Sequence, residues 1–136
     1  MTSIRETLTG QETKLEKSSW HTIIASQALT ATVTSAVQEW PHGSGVLITV
    51  ITSSGASTPI ITPSITTVDD DGNSLTLWTA AATITTDTTT SYLLAPGGAT
   101  GFSVTEDIDG YLPREWKLVL TWSQGSFTVE AHATYV

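Results

Sequence analysis

The sequence predicts an all-β domain, an antiparallel β-sandwich or jelly roll of about eight strands preceded by an N-terminal extended or short-helical arm. Three observations carry this. The chain of 136 residues is rich in β-branched hydroxyl residues, with 27 Thr and 15 Ser, and threonine favours strands over helices. Only 13% of the residues are charged, about half the usual share. From residue 28 onward, short runs of Val, Ile, Thr and aromatics alternate with clusters of Gly, Pro, Asp and Ser, which is the punctuation of strands and turns.

The length suits a single domain, divided here into an arm over residues 1–27 and a sandwich over 28–136. The arm carries three bases and three acids in its first 17 positions and no sustained apolar alternation. Thr9 followed by Glu12 fits a capping box that starts a short helix to about Ser18. Ile4, Leu8, Leu15 and Trp20 are expected to supply a face of the arm for contact with a partner. Strands are expected near 28–38, 45–53, 60–68, 74–84, 90–95, 100–106, 114–122 and 127–135.

The last two of these strands are the most strongly patterned. With Gln124 and Gly125 as a two-residue turn, Trp122 faces Phe127, Leu120 faces Val129, Leu118 faces Ala131 and Trp116 faces Ala133. Polar residues alternate between them, so a slip of one position would expose the whole apolar set. A second hairpin is signalled by Asp69 to Asn73. Pro59 and Pro63 on its first strand cannot donate ladder hydrogen bonds, which calls for a sheet edge or a bulge. Val46, Leu47, Ile48, Val50 and Ile51 are apolar on both faces, as in a strand covered on both sides.

Thirteen acids against five bases give a net charge of -8, and no base lies between Lys17 and Arg114. Phosphate and anionic lipid are bound through clustered Lys and Arg, so neither nucleic acid nor membrane is expected as a partner. The chain lacks cysteine, which excludes disulfides and thiolate metal sites. No stretch reads as a signal peptide or a membrane span, and the protein is expected to be made in the cytoplasm.

Catalytic chemistry finds little purchase. The only bases for a serine triad are His21, His42 and His132, and no nucleophile elbow accompanies them. The acids Asp69, Asp70, Asp71, Asp87, Glu106, Asp107 and Asp109 fall at expected strand ends, where turns favour them. Clusters at Asp69–Asn73 and Glu106–Asp109 leave a structural cation open beside the plain turn reading, although neither follows the ligand spacing of an EF-hand. No glycine-rich phosphate loop is present. The expectation is therefore no enzyme, no cofactor and no catalytic or metal-ligating residue.

At Leu112-Pro113-Arg114-Glu115-Trp116 the chain resembles a family of small virion proteins of long-tailed bacteriophages. Leu94-Ala95-Pro96-Gly97, the final stretch from Ser126 to Tyr135, Ser57-Thr58-Pro59 and the turn at Asp71-Gly72 extend the resemblance over residues 28–136. It implies a structural virion protein with a β-sandwich fold, a capsid decoration protein on the outer surface of the head. The implied partner is the major capsid protein. The arm, the triple aspartate and the loop at Trp40 depart from the family's pattern; the arm and that loop are expected to contact the capsid or further copies of the chain, in a homotrimer that matches local threefold positions of an icosahedral lattice. A tail or neck component is the alternative position. A carbohydrate-binding module using Trp40 is the alternative function.

Overall fold

The computed structural model describes residues 20–39, 45–68, 71–98 and 103–136. Among them are eight strands and no helix: β1 (Trp20–Leu29), β2 (Val33–Thr34), β3 (Gln38–Glu39), β4 (Val46–Val68), β5 (Ser74–Thr79), β6 (Thr89–Ala95), β7 (Glu106–Asp109) and β8 (Glu115–Tyr135). They form one mixed sheet with the path β1-β8-β4-β6-β7, to which β2 and β3 add beside β8 and β5 beside β4. The fold is all-β, as expected from the hydroxyl-rich composition. One pair departs from the antiparallel expectation, since β6 and β7 run parallel, with Tyr92 opposite Glu106 and Ala95 opposite Asp109.

The spine is the antiparallel pair β4–β8, which runs from Val46↔Tyr135 to Thr66↔Lys117. Two strands of this length cannot lie flat in so small a domain. The pair bends where its register slips, between Ser53 and Ala56, between Ala56 and Ile60, and at Ile60/Ile61. Bulges of this kind raise the local twist and turn a strand. Ser54, Ser57 and Thr58 take φ of 52°, 60° and 54° on one side of the bend, and Gly125 takes 70° on the other. A Cβ on Gly125 would lie 2.5 Å from Pro59 Cα, so the crossing strand passes directly over a residue without a side chain.

The bend folds the ribbon into two layers. In the first, the early half of β4 and the late half of β8 are flanked by β1 and β6. In the second, the late half of β4 and the early half of β8 are flanked by β5 and by β2 and β3. Val46, Ile48 and Val50 from the first layer join Ile61, Ile65, Leu118, Leu120 and Trp116 from the second in one buried cluster, with Phe127, Val129, Ala131 and Ala133. Trp78 on β5 meets Tyr92 on β6 across the interior, ring centroids 5.0 Å apart. Between the two-residue strands β2 and β3 the buried Ser35 keeps the ladder continuous: its N–H donates to Leu118 O, and its hydroxyl accepts the Leu118 N–H.

Several expected strands are therefore corrected. Gln124-Gly125 is not a hairpin turn, because residues 115–135 form one strand, antiparallel to β4 over both halves. The inward set survives from Trp116 to Leu120 and from Phe127 to Ala133, while Trp122 is exposed at 37%. A two-residue turn and a bulged bend both reverse the parity of the inward positions, so the same apolar pattern fits either. Residues 45–53 and 60–68 likewise join into β4. The expected strand at 28–38 is replaced by the end of β1 and the short β2 and β3, and residues 20–27, read as arm, pair with β8. Of the strand expected at 100–106, residues 100–102 lie outside the described residues, and the described strand there is β7 at Glu106–Asp109; that expected at 74–84 ends at Thr79, beyond which Ile84 bridges Ile61.

The second hairpin forms as read, with Val68 opposite Ser74 and Thr67 opposite Leu75. Pro59 sits among the register shifts. Pro63 O accepts the Ala80 N–H, so its donorless nitrogen faces the same side, just past the last β5 ladder partner at Thr79.

Candidate interaction surface

The folded ribbon sorts the loops into two groups. At the bent end lie the β4 and β8 bends and Asp87, whose Oδ1 accepts the Gly55 N–H at 2.9 Å. At the other, open end the strand termini gather: Trp20 opposite Thr134, Val46 opposite Tyr135, and Glu39 opposite Glu115. Gly45 and Val136 exchange both backbone hydrogen bonds there, at 3.2 and 3.0 Å. A side chain on Gly45 would collide with Ala95, so the closure of this end depends on a glycine.

The motif at Leu112 to Trp116 is anchored at this end by two buried residues. Leu112 and Trp116 belong to the core, while Tyr111 between β7 and β8 is 78% exposed. Trp116 packs edge-on against Tyr135 with centroids 6.3 Å apart, and Tyr135 meets His21 at 5.7 Å. Burial pushes the Tyr135 phenol above its ordinary pKa, partly offset by the Trp116 indole beside it. Val37 and Val136 are exposed apolar residues adjoining the same end, and Leu75 stands near the β4–β5 turn.

Asp87 and Asp109 act as acceptors for backbone N–H groups of loops and turns. Asp109 Oδ1 accepts the Gly97 N–H at 2.7 Å. Glu106 accepts the Trp78 indole N–H at 3.0 Å and the Ala81 N–H at 3.1 Å, tying β7 to the opposite layer. Nothing in the sequence pointed to this role for Glu106, because its partners are 25 and 28 residues away. Asp71 lies in the turn beside Gly72; Asp69 and Asp70 lie outside the described residues. Among the described residues no group of three or more His, Asp or Glu is placed to hold a metal ion.

His132 lies on the outer face of the first layer. Its Nδ1 is 3.2 Å from Thr22 Oγ1 and its Nε2 is 3.5 Å from Glu130 Oε1. The order hydroxyl, imidazole, carboxylate is that of a proton relay. Here it runs across neighbouring strands on one sheet face, and the contact joins β1 to β8 as a cross-strand pair.

Of the residues expected to contact a partner, Ile4, Leu8, Leu15 and Trp40 lie outside the described residues, as does His42. Trp20 is the first residue of β1. The points from which the two segments leave the described domain nevertheless converge. Residues 1–19 join at Trp20, opposite Thr134, and residues 40–44 join at Glu39 and at Gly45, the latter bonded to Val136. Sequence reasoning missed Tyr111, although its place next to the Leu112 motif was visible.

No family model and no curated protein matches the chain. Solved structures that overlap with it include those of infectious bursal disease virus Gx strain (13% identity, TM-score 0.49) and Gt strain (12% identity, TM-score 0.44). The overlaps cover 85% and 86% of this chain, which spans 31% of each matched chain.

Proposed function

We propose that the chain is a non-catalytic structural protein of a tailed-phage virion, a decoration protein that binds the outer surface of the head and stabilises it by bridging major capsid protein subunits. The observation that carries this reading is the gathering of contact elements at the open end: the root of the arm, both flanks of the Trp40 loop, the C-terminus and the exposed Tyr111. An aromatic residue standing out from a rigidly anchored loop is the kind of group that anchors protein interfaces. The two motifs that carry the family resemblance, Leu94–Gly97 and Leu112–Trp116, close this same end, with Gly110 N–H donating to Ala95 O between them.

In this reading the sandwich sits on the lattice, and the arm reaches along the capsid or onto a neighbouring copy in a trimer at local threefold positions. Individual contacts are weak, and repetition over the lattice makes them sufficient. Deleting residues 2–19 stops short of β1 and should leave the sandwich folded while abolishing co-sedimentation with shells of major capsid protein. Full occupancy by the truncated protein would refute the role of the arm. Copy number tests the position: hundreds per virion fit the head shell, and a dozen or fewer would move the protein to the tail or neck.

A further inference from the structure

We propose that the free edge of β5 is a self-association surface that takes the β5 edge of a second copy in antiparallel pairing. An open strand edge presents unpaired N–H and C=O groups, and folded proteins blunt such edges with charge, bulges or short length. The other edges of this sheet are blunted. β7 carries Glu106, Asp107 and Asp109 in four residues. β1 is broken by two register shifts. β2 and β3 are two residues each.

β5 differs from all of them. Its six residues, Ser74-Leu75-Thr76-Leu77-Trp78-Thr79, include no charge and no proline. One side pairs with β4 from Ser74 to Thr79, and the other has no strand beside it among the described residues. All but Trp78 are exposed, Leu75 at 49% and Leu77 at 43%. The one irregularity of the strand falls at Leu77, where it adds an exposed leucine to the edge rather than a charge.

Charge selects the occupant. The chain carries a net -8, so two copies repel wherever their acids face each other, and least where both surfaces are neutral. Two-fold pairing of β5 with β5 sets a neutral strand against its equal and leaves neither edge open. The six residues of the strand themselves offer a charged partner no complement. Six residues span only about 20 Å, less than a standard interface requires, so the contact is weak in solution. The inference rests on β5 alone and not on the virion reading; on a repeating lattice the same contact would link adjacent units.

Sedimentation equilibrium of the purified chain tests it, at concentrations up to roughly 1 mM, where a dissociation constant of about 1 mM still registers. The wild type is expected to associate reversibly. Leu75→Lys/Leu77→Lys should weaken association about tenfold or more with an unchanged circular dichroism spectrum. The 2–19 deletion should still associate, which separates this contact from any made by the arm. A wild type that stays monomeric throughout, or association that the lysine pair leaves intact, would overturn the proposal.

Discussion

Trp116 and Tyr135 sit near opposite ends of one strand, yet their rings meet edge-on at 6.3 Å, with planes at 81°. Along a straight strand nineteen residues would separate them by about 65 Å. Their contact is the closure of the folded ribbon. Trp116→Ala, which empties a fully buried site, should therefore cost about 3–5 kcal/mol. Urea unfolding measures this, and a loss below about 1 kcal/mol would mean that the layers close without the indole.

Gly125 and Gly72 both have positive φ, 70° and 87°, but a Cβ on Gly125 meets Pro59 and the Ala56 carbonyl oxygen, while one on Gly72 meets nothing within 4 Å. Gly72→Ala should cost about 1 kcal/mol from backbone strain alone. Gly125→Ala should cost at least about 2 kcal/mol more, through overpacking at the bend. Equal melting temperatures for the two variants would show that the crossing strands can give way.

Thr58 offers the opposite change. A β-branched residue at φ 54° holds a conformation that costs roughly 1–2 kcal/mol, and Thr58→Gly removes that cost while adding freedom to the unfolded chain. Stability should stay level or rise by up to about 1 kcal/mol. A drop in the urea midpoint would show that the Thr58 side chain contributes contacts outweighing its strain.

The sequence revealed the faces of this protein better than its connectivity. Every residue assigned inward between Trp116 and Ala133 is buried except Trp122, and the Asp71-Gly72 turn joins the strands expected of it. Alternation reports which way a side chain points, and this is why those assignments held. It does not tell a hairpin from a bulged bend, since both shift the alternation by one position, so β8 was read as two strands. The parallel β6–β7 pair and the reach of Glu106 to Trp78 depend on which segments meet across the interior, and no local pattern carries that. At the open end the Leu112 motif was legible as a motif. The convergence of the arm root, the Trp40 flanks and the C-terminus depends on the bend, which was not.

Glu106 holds the two layers together by accepting N–H groups from Trp78 and Ala81. Glu106→Ala leaves a partly buried indole N–H without its acceptor, at a cost of about 1–3 kcal/mol. Glu106→Gln retains one acceptor oxygen and should recover part of the loss. Trp78 fluorescence, isolated in a background lacking the other tryptophans where that background folds, should shift to the red in the alanine variant. An unshifted spectrum with unchanged stability would remove Glu106 from the account.

Tyr92 and Tyr135 are expected to make the fold less stable at alkaline pH. Burial raises the Tyr92 phenol above its ordinary value of 10.0, the hydrogen bond with Thr90 opposing this and the Glu106 carboxylate adding to it; burial raises Tyr135 likewise. Below the ordinary value both phenols are protonated in the folded and the unfolded chain, and the stability linked to them is complete. Above it the unfolded chain gives up protons that the folded chain still holds, so unfolding gains with each step in pH until the raised folded values are passed. Urea midpoints should therefore fall as pH rises from about 9 to 11. Tyr92→Phe/Tyr135→Phe should flatten that slope while leaving the neutral-pH midpoint changed by about 1 kcal/mol or less per site. A slope identical to that of the wild type would mean that other groups govern the alkaline transition.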